Sequence, residues 1–185
     1  MKNTVEKHSD GINIYAEFSV KSNPIGKIIL IILVFVLIVF FVLVFSTIDV
    51  YTIGKSIFPI VIMAFFLLVI PIRYLVWNLY GKENLIINSK TISYNYDYGI
   101  IKTNLKTLPF NILGTGIELI REDNGIRKGR LIFYDYREKD HLPEVIHYTS
   151  ILVNLEEVKE LDKEISKLFL DEFNQVRGFL PFSAN

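Results

Sequence analysis

A membrane-embedded helical hairpin joined to an α+β domain is the fold class this sequence predicts, on three observations. Residues 28–45 are Ile, Leu, Val or Phe without exception. A second apolar run, Ile57 to Ile72, follows after a short polar break. Beyond Lys82 the apolar residues recur first with a period near two and then, after Asn154, with the spacing of an amphipathic helix. The chain is thus divided into a hydrocarbon-compatible part and a part of ordinary soluble composition, which from Lys82 onward holds 14 Lys+Arg against 16 Asp+Glu.

Residues 1–11 are polar and read as a disordered start. Over residues 12–21, Ile12, Ile14, Ala16, Phe18 and Val20 alternate with polar neighbours, which predicts a half-buried strand. One strand is not stable alone, so it is expected to join the sheet predicted after Lys82, the alternative being an extended linker beside the membrane. Asn23-Pro24 then supplies a cap and a first-turn proline for a helix.

The hairpin is predicted over 27–80, with spans at about 28–48 and 57–77. At 1.5 Å per residue each span approaches the roughly 30 Å of a hydrocarbon core. The apolar run is too long, and starts too late, for a cleaved leader, and no small-x-small site follows it. Pro59 falls in the first turn of the second segment, and Pro71 is expected to kink or end it. Lys27 on the leading side, and Arg73, Tyr74, Trp77 and Tyr80 on the trailing side, are the expected interface anchors, since basic and amphipathic aromatic side chains collect at headgroup depth. Lys21 and Lys27 flank the first span, and Arg73, Lys82 and Lys90 follow the second. The connection holds only Lys55 beside Asp49, so the charge bias predicts both termini in the cytoplasm. Neither span carries an ionisable residue at mid-depth, which argues against a pump or carrier.

In residues 82–175, short runs separated by turns predict an antiparallel sheet, rolled or stacked. The expected strands are Leu85–Ile87, Thr91–Tyr98, Ile100–Lys106, Gly116–Arg121, Leu131–Tyr136 and Val145–Val153. Asn124-Gly125 is a hairpin turn and Arg137–Glu144 a charged loop. A helix is expected over about 155–175, capped by Asn154 with Glu157 in a box-like start. Its apolar stripe is Leu155, Val158, Leu161, Ile165, Leu168 and Phe169. Residues 176–185 form a tail.

Composition excludes several functions. With no cysteine, thiol nucleophiles, iron–sulfur sites and cysteine zinc sites are absent. A net charge of zero gives no electrostatic case for nucleic acid. His141 and His147, with Asp140 and Glu144, lack the spacing of a metal motif and read as loop and strand residues, so no metal or cofactor is expected. Gly114-Thr115-Gly116 precedes a strand, whereas phosphate cradles precede helices. Ser93, Ser150 and Ser166 lack a nucleophile setting, and no catalytic residue is assigned. One basic cluster, Arg121, Arg127, Lys128 and Arg130 around the Asn124-Gly125 turn, is the candidate for anionic lipid contact.

The run Trp77-Asn78-Leu79-Tyr80-Gly81-Lys82-Glu83, set between an apolar helix pair and a meander of strands with one terminal helix, resembles bacterial membrane proteins with a PH-like domain. The resemblance covers about residues 12–172 and rests on the Trp, Gly and acidic residue at that spacing. It implies a bent antiparallel sheet of about seven strands capped by a C-terminal helix, in a multi-pass protein of the bacterial inner membrane. The function expected on this basis is a non-enzymatic, membrane-anchored module for protein interaction or assembly. Its partners would be the bilayer and either another protein or a second copy of the chain. Lipid-headgroup sensing through the basic hairpin near Arg127 is the alternative.

Overall fold

The structure is a computed structural model that describes residues 3–47, 57–123, 125–137, 139 and 142–173. Among these the chain is α+β, with nine strands in two antiparallel sheets and three helices. It divides into two compact units, one of residues 20–81 and one of residues 2–19 with 82–185.

The first unit is a pair of helices in contact, α1 (Pro24–Thr47) and α2 (Ile57–Tyr80). Asn23 caps α1: its Oδ1 accepts from the Ile25 N–H at 3.1 Å, and its carbonyl from the Lys27 N–H at 2.9 Å. Pro24–Val44 is long and apolar enough to cross a membrane, and only 6% of its apolar window is buried within the fold. A core helix of a water-soluble domain would be mostly covered. Among the described residues of the two helices, only Val34 and Ala64 are buried. Two spans were expected; among the described residues one helix is long and apolar enough to cross a membrane, and the apolar part of the second is the shorter Ala64–Tyr80. Pro71 does not end α2, which continues to Tyr80. A proline removes one N–H from the helix ladder, and the turns on both sides retain theirs. Where the chain leaves the helices, the Val20 N–H donates to the Gly81 carbonyl at 2.9 Å.

The second unit holds the sheets. The first sheet runs in the order β1 (Thr4–Ser9), β2 (Ile14–Ser19), β3 (Lys82–Ile87), β4 (Thr91–Asp97), β5 (Lys106–Pro109). The strand expected before the helices thus pairs antiparallel with the first strand after them, Ser19 opposite Lys82 and Ile14 opposite Ile87. The second sheet has β6 (Leu113–Asp123) beside β7 (Ile126–Tyr136), with β8 (Pro143–Tyr148) and β9 (Val153–Asn154) both on β7. The α3 helix (Leu155–Phe173) lies against strands of both sheets. Its buried stripe is Val158, Leu161 and Ile165, with Leu155, Leu168 and Phe169 half-buried. Together with Ile14, Ala16, Phe18, Leu85, Ile87 and Ile92 of one sheet, and Leu131, Phe133, Ile151 and Val153 in and after the strands of the other, they make up the buried core. Each large member contributes about 1.5–3 kcal/mol by leaving water.

Several expectations need correction. One bent sheet of about seven strands is replaced by nine strands in two sheets. Residues 4–9, expected to be disordered, form β1. The reason is the turn that follows: Asp10 Oδ1 accepts from the Ile12 and Asn13 N–H groups at 2.9 and 2.6 Å, folding the polar strand back on β2. Lys7 then reaches Glu164 at 2.7 Å, and the Val5 N–H donates to Glu157 Oε2 at 3.2 Å, tying this edge strand to α3. Ile100–Leu105 is an arm rather than a strand, with one isolated bridge from Lys102 to Asp97, and ladder pairing resumes at Lys106. The strand expected over Val145–Val153 starts at Pro143 and breaks between Tyr148 and Val153. Gly114-Thr115-Gly116 lies inside β6, where a Cβ at Gly114 or Gly116 would meet the rings of Tyr136 and Tyr134 at 2.5 and 2.9 Å. The 176–185 tail lies outside the described residues.

The Asp10 turn makes a testable contribution. Hydrogen bonds from Asn13 and Ile12 hold the Asp10 carboxyl well below the usual carboxylate range. A depressed folded-state value stabilises above the unfolded value, near pH 4, and that stability is lost as pH falls through the folded value. Asp10→Ala is therefore expected to lower the unfolding midpoint at neutral pH, with the gap to the wild type closing below about pH 4. Thermal unfolding at several pH values checks this; a gap independent of pH would contradict it.

Candidate functional site

A buried polar junction forms where the two sheets meet. On β3 the inward phase of the alternation is Glu83, Leu85 and Ile87, so a carboxylate is carried into the core, fully buried. Glu83 Oε1 lies 3.1 Å from Nε2 of His147, a buried residue on β8. Its other oxygen accepts the Ser150 N–H at 2.7 Å. The cause is the break in the strand. Between Tyr148 and Val153 the chain leaves the β7 ladder: Thr149 returns once, donating its N–H to Leu131, and Ser150 turns away. A backbone N–H there needs an acceptor, and Glu83 from the other sheet provides it. The His147 ring stacks on Tyr94 at 4.0 Å and lies 6.1 Å from Phe133. The Tyr96 hydroxyl meets the Ser150 hydroxyl at 3.0 Å, and burial pushes the Tyr96 phenol up.

This arrangement joins the sheets. The imidazole is buried with Nε2 turned to Glu83, and the Ser150 hydroxyl is turned to Tyr96. Ser93 bonds Thr107, and Ser166 bonds the Asp162 carbonyl. No group of three or more His, Cys, Asp or Glu placed to hold a metal occurs among the described residues. His147 bonds Glu83, while Asp140 and His141 lie outside the described residues. His8 is on β1, stacked near Tyr15. The junction was missed in the sequence, although a carboxylate in the apolar phase of β3 was its visible sign.

The basic cluster is laddered with acids across the β6–β7 pair. Arg127 is opposite Glu122, with 3.4 Å between their charged groups, and Arg130 is opposite Glu118 at 2.6 Å. Arg130 also lies 4.4 Å over the Tyr148 ring. Arg121 and Lys128 face each other in register, beside a bulge between Leu119 and Arg121. All four residues lie on the β6–β7 hairpin, interleaved with acids, but in β7 Lys128 and Arg130 share the outward phase whereas Arg127 belongs to the opposite one.

Of the expected anchors, Lys27 is in the first turn of α1, and the other four are on the last turns of α2. Arg73, Trp77 and Tyr80 recur at spacings of four and three and form one stripe. Tyr74 and Tyr80 are exposed. The Trp77 carbonyl accepts the Gly81 N–H at 2.8 Å, and a Cβ at Gly81 would lie 2.3 Å from that carbonyl oxygen and 2.7 Å from the indole. Only glycine permits this approach. The spacing of tryptophan, glycine and acid therefore has two separate causes: the first two close the end of α2, and the acid fills the sheet junction. No protein-family profile, curated protein or solved structure matches the chain.

Proposed function

We propose that this chain is a non-enzymatic membrane protein in which α1 and α2 form a two-span hairpin that anchors a PH-like module for protein interaction or assembly, with both termini in the cytoplasm of a bacterium. The observation that carries the reading is the pairing of β2 with β3. Strands of one sheet lie on one side of any bilayer, so the chain between Ser19 and Lys82 crosses an even number of times. The α1 helix is long enough to cross. The 24-residue α2, about 36 Å long, is then the segment that returns. Two antiparallel sheets followed by a helix laid against both support the PH-like assignment.

A binding role fits what the surface offers. The outer edge of β8, with Val145 and Tyr148 exposed and Leu142 beside it, leaves an apolar strand edge suited to another protein. Photo-crosslinking in intact membranes from positions 145 and 148, with Lys90 as control, tests this. A discrete protein adduct from the first two and none from Lys90 is expected, while no protein adduct at any position would sink the interaction reading. Headgroup binding through Arg121, Arg127, Lys128 and Arg130 is the second reading, which lipid adducts from position 127 would favour.

A further inference from the structure

The arm between β4 and β5 ends in two isoleucines with no cover. Ile100 is 78% and Ile101 69% exposed, and Leu105, on the returning limb, is exposed as well. Turn tips ordinarily carry Gly, Asn, Asp or Ser, so β-branched apolar residues there need a reason.

The base of the arm is held by backbone hydrogen bonds. The Tyr98 N–H donates to the Ile101 carbonyl at 2.9 Å and the Gly99 N–H to Asp97 Oδ1 at 2.7 Å. The Thr103 N–H donates to the Tyr96 carbonyl, and the Tyr96 N–H to Thr103 Oγ1, both at 2.8 Å. Gly99, at φ +83°, allows the reversal. Each N–H group bonded within the arm, those of Tyr98, Gly99 and Thr103, is one fewer to desolvate if the arm enters a poorly hydrated layer.

The register fixes where the arm projects. Ser19 is opposite Lys82, Lys82 opposite Asp97, and Asp97 bridges to Lys102. The two points at which the chain leaves this sheet for the helices, and the base of the arm, therefore form one row at one end of the sheet. Neighbouring strands are about 4.8 Å apart, so the arm starts within about 10 Å of both departures. At its base, Lys102 pairs with Asp97 at 2.9 Å while staying 67% exposed, and Lys106 is exposed 5.9 Å from the Tyr94 ring.

We propose that residues 98–105 are a lipid-contacting finger: Ile100, Ile101 and Leu105 enter the interfacial layer of the bilayer that α1 crosses, while Lys102 and Lys106 reach anionic phosphates above them. An apolar tip with ammonium groups one step behind it is the arrangement that suits headgroup depth. A protein groove would also take the isoleucines, but nothing in that reading accounts for their sharing a sheet end with both helix connections.

The proposal rests on the membrane anchoring proposed above, and the test separates the two. The chain has no cysteine, so single cysteines can be placed at Ile101, at Ile38 within α1 and at Lys90, in the turn at the opposite end of the sheet. Each full-length variant is labelled with an environment-sensitive fluorophore in vesicles of phosphatidylcholine with phosphatidylglycerol. The 101 label is expected to be quenched by nitroxide lipids, to be shielded from iodide and to lie about 5–10 Å below the phosphates. The 90 label should behave oppositely, and the 38 label should lie deep. A deep 38 label with an iodide-accessible 101 label overturns the finger alone, as does a 101 label shielded from both quenchers, which would mean a protein occupant. A 38 label in water overturns the anchoring and the finger together.

Discussion

Replacing residues 20–81 by Asn-Gly is expected to give a protein that stays in solution without detergent and unfolds as one cooperative unit. Ser19 and Lys82 are register partners in an antiparallel pair. Their Cα atoms are therefore about 5 Å apart, the separation that a two-residue turn spans. Asn-Gly supplies the positive φ values of the turn that matches strand twist. The exposed Ile, Leu, Val and Phe side chains of both helices are removed, and the core of Phe18, Leu85, Ile87, Phe133, Leu161 and Ile165 is untouched. Circular dichroism and sedimentation of the excised chain measure the outcome. An aggregated or unfolded product would mean that the helices supply more to the sheets than a connection. Phe18→Asp in the same background should abolish the fold, since Phe18 is fully buried opposite Glu83.

Glu83→Ala should cost about 3–5 kcal/mol, the usual loss when one partner of a buried pair is removed. It leaves the buried His147 Nε2 and the Ser150 N–H without their acceptor. For a domain of this size the midpoint of thermal unfolding should fall by more than about 10 °C. Glu83→Gln should lose less, because its carbonyl can still receive the Ser150 N–H. Glu83→Leu combined with His147→Leu should cost less than the two single changes added, the residue being the orphaned Ser150 group. Strict additivity, or an alanine variant as stable as the wild type, would rule out the junction as the joint between the sheets.

Local pattern carried much of this fold, and distance limited the rest. The alternation over 12–21 contained β2, and the stripe at Val158, Leu161 and Ile165 contained the buried face of α3, because burial acts on each residue at the period of its own element. The polar edge β1 has no such phase; Thr4–Ser9 is held by its ladder, by the Asp10 turn and by contacts to α3, and only Asp10-Gly11 announced it. The Glu83–His147 junction joins residues 64 apart in sequence, which no local period reports. The basic hairpin was found, but the acids opposite it follow from register, which turns and bulges set. The split of one expected strand into β8 and β9 depends on the Glu83 carboxylate accepting a backbone group, again a matter of what is near in space.

The row that begins with Ser19 opposite Lys82 also orders events during synthesis. The ribosome releases β2 well before its partner exists, and both helices must be made in between. If they are threaded into a bilayer, the sheet can close only when the second helix has brought the chain back. A chain whose second helix failed to return would hold β2 on the wrong side, with its apolar face unpaired and the domain core open. Completion of the fold is then a readout of correct insertion, and misinserted chains remain recognisable to proteolysis by their unfolded half.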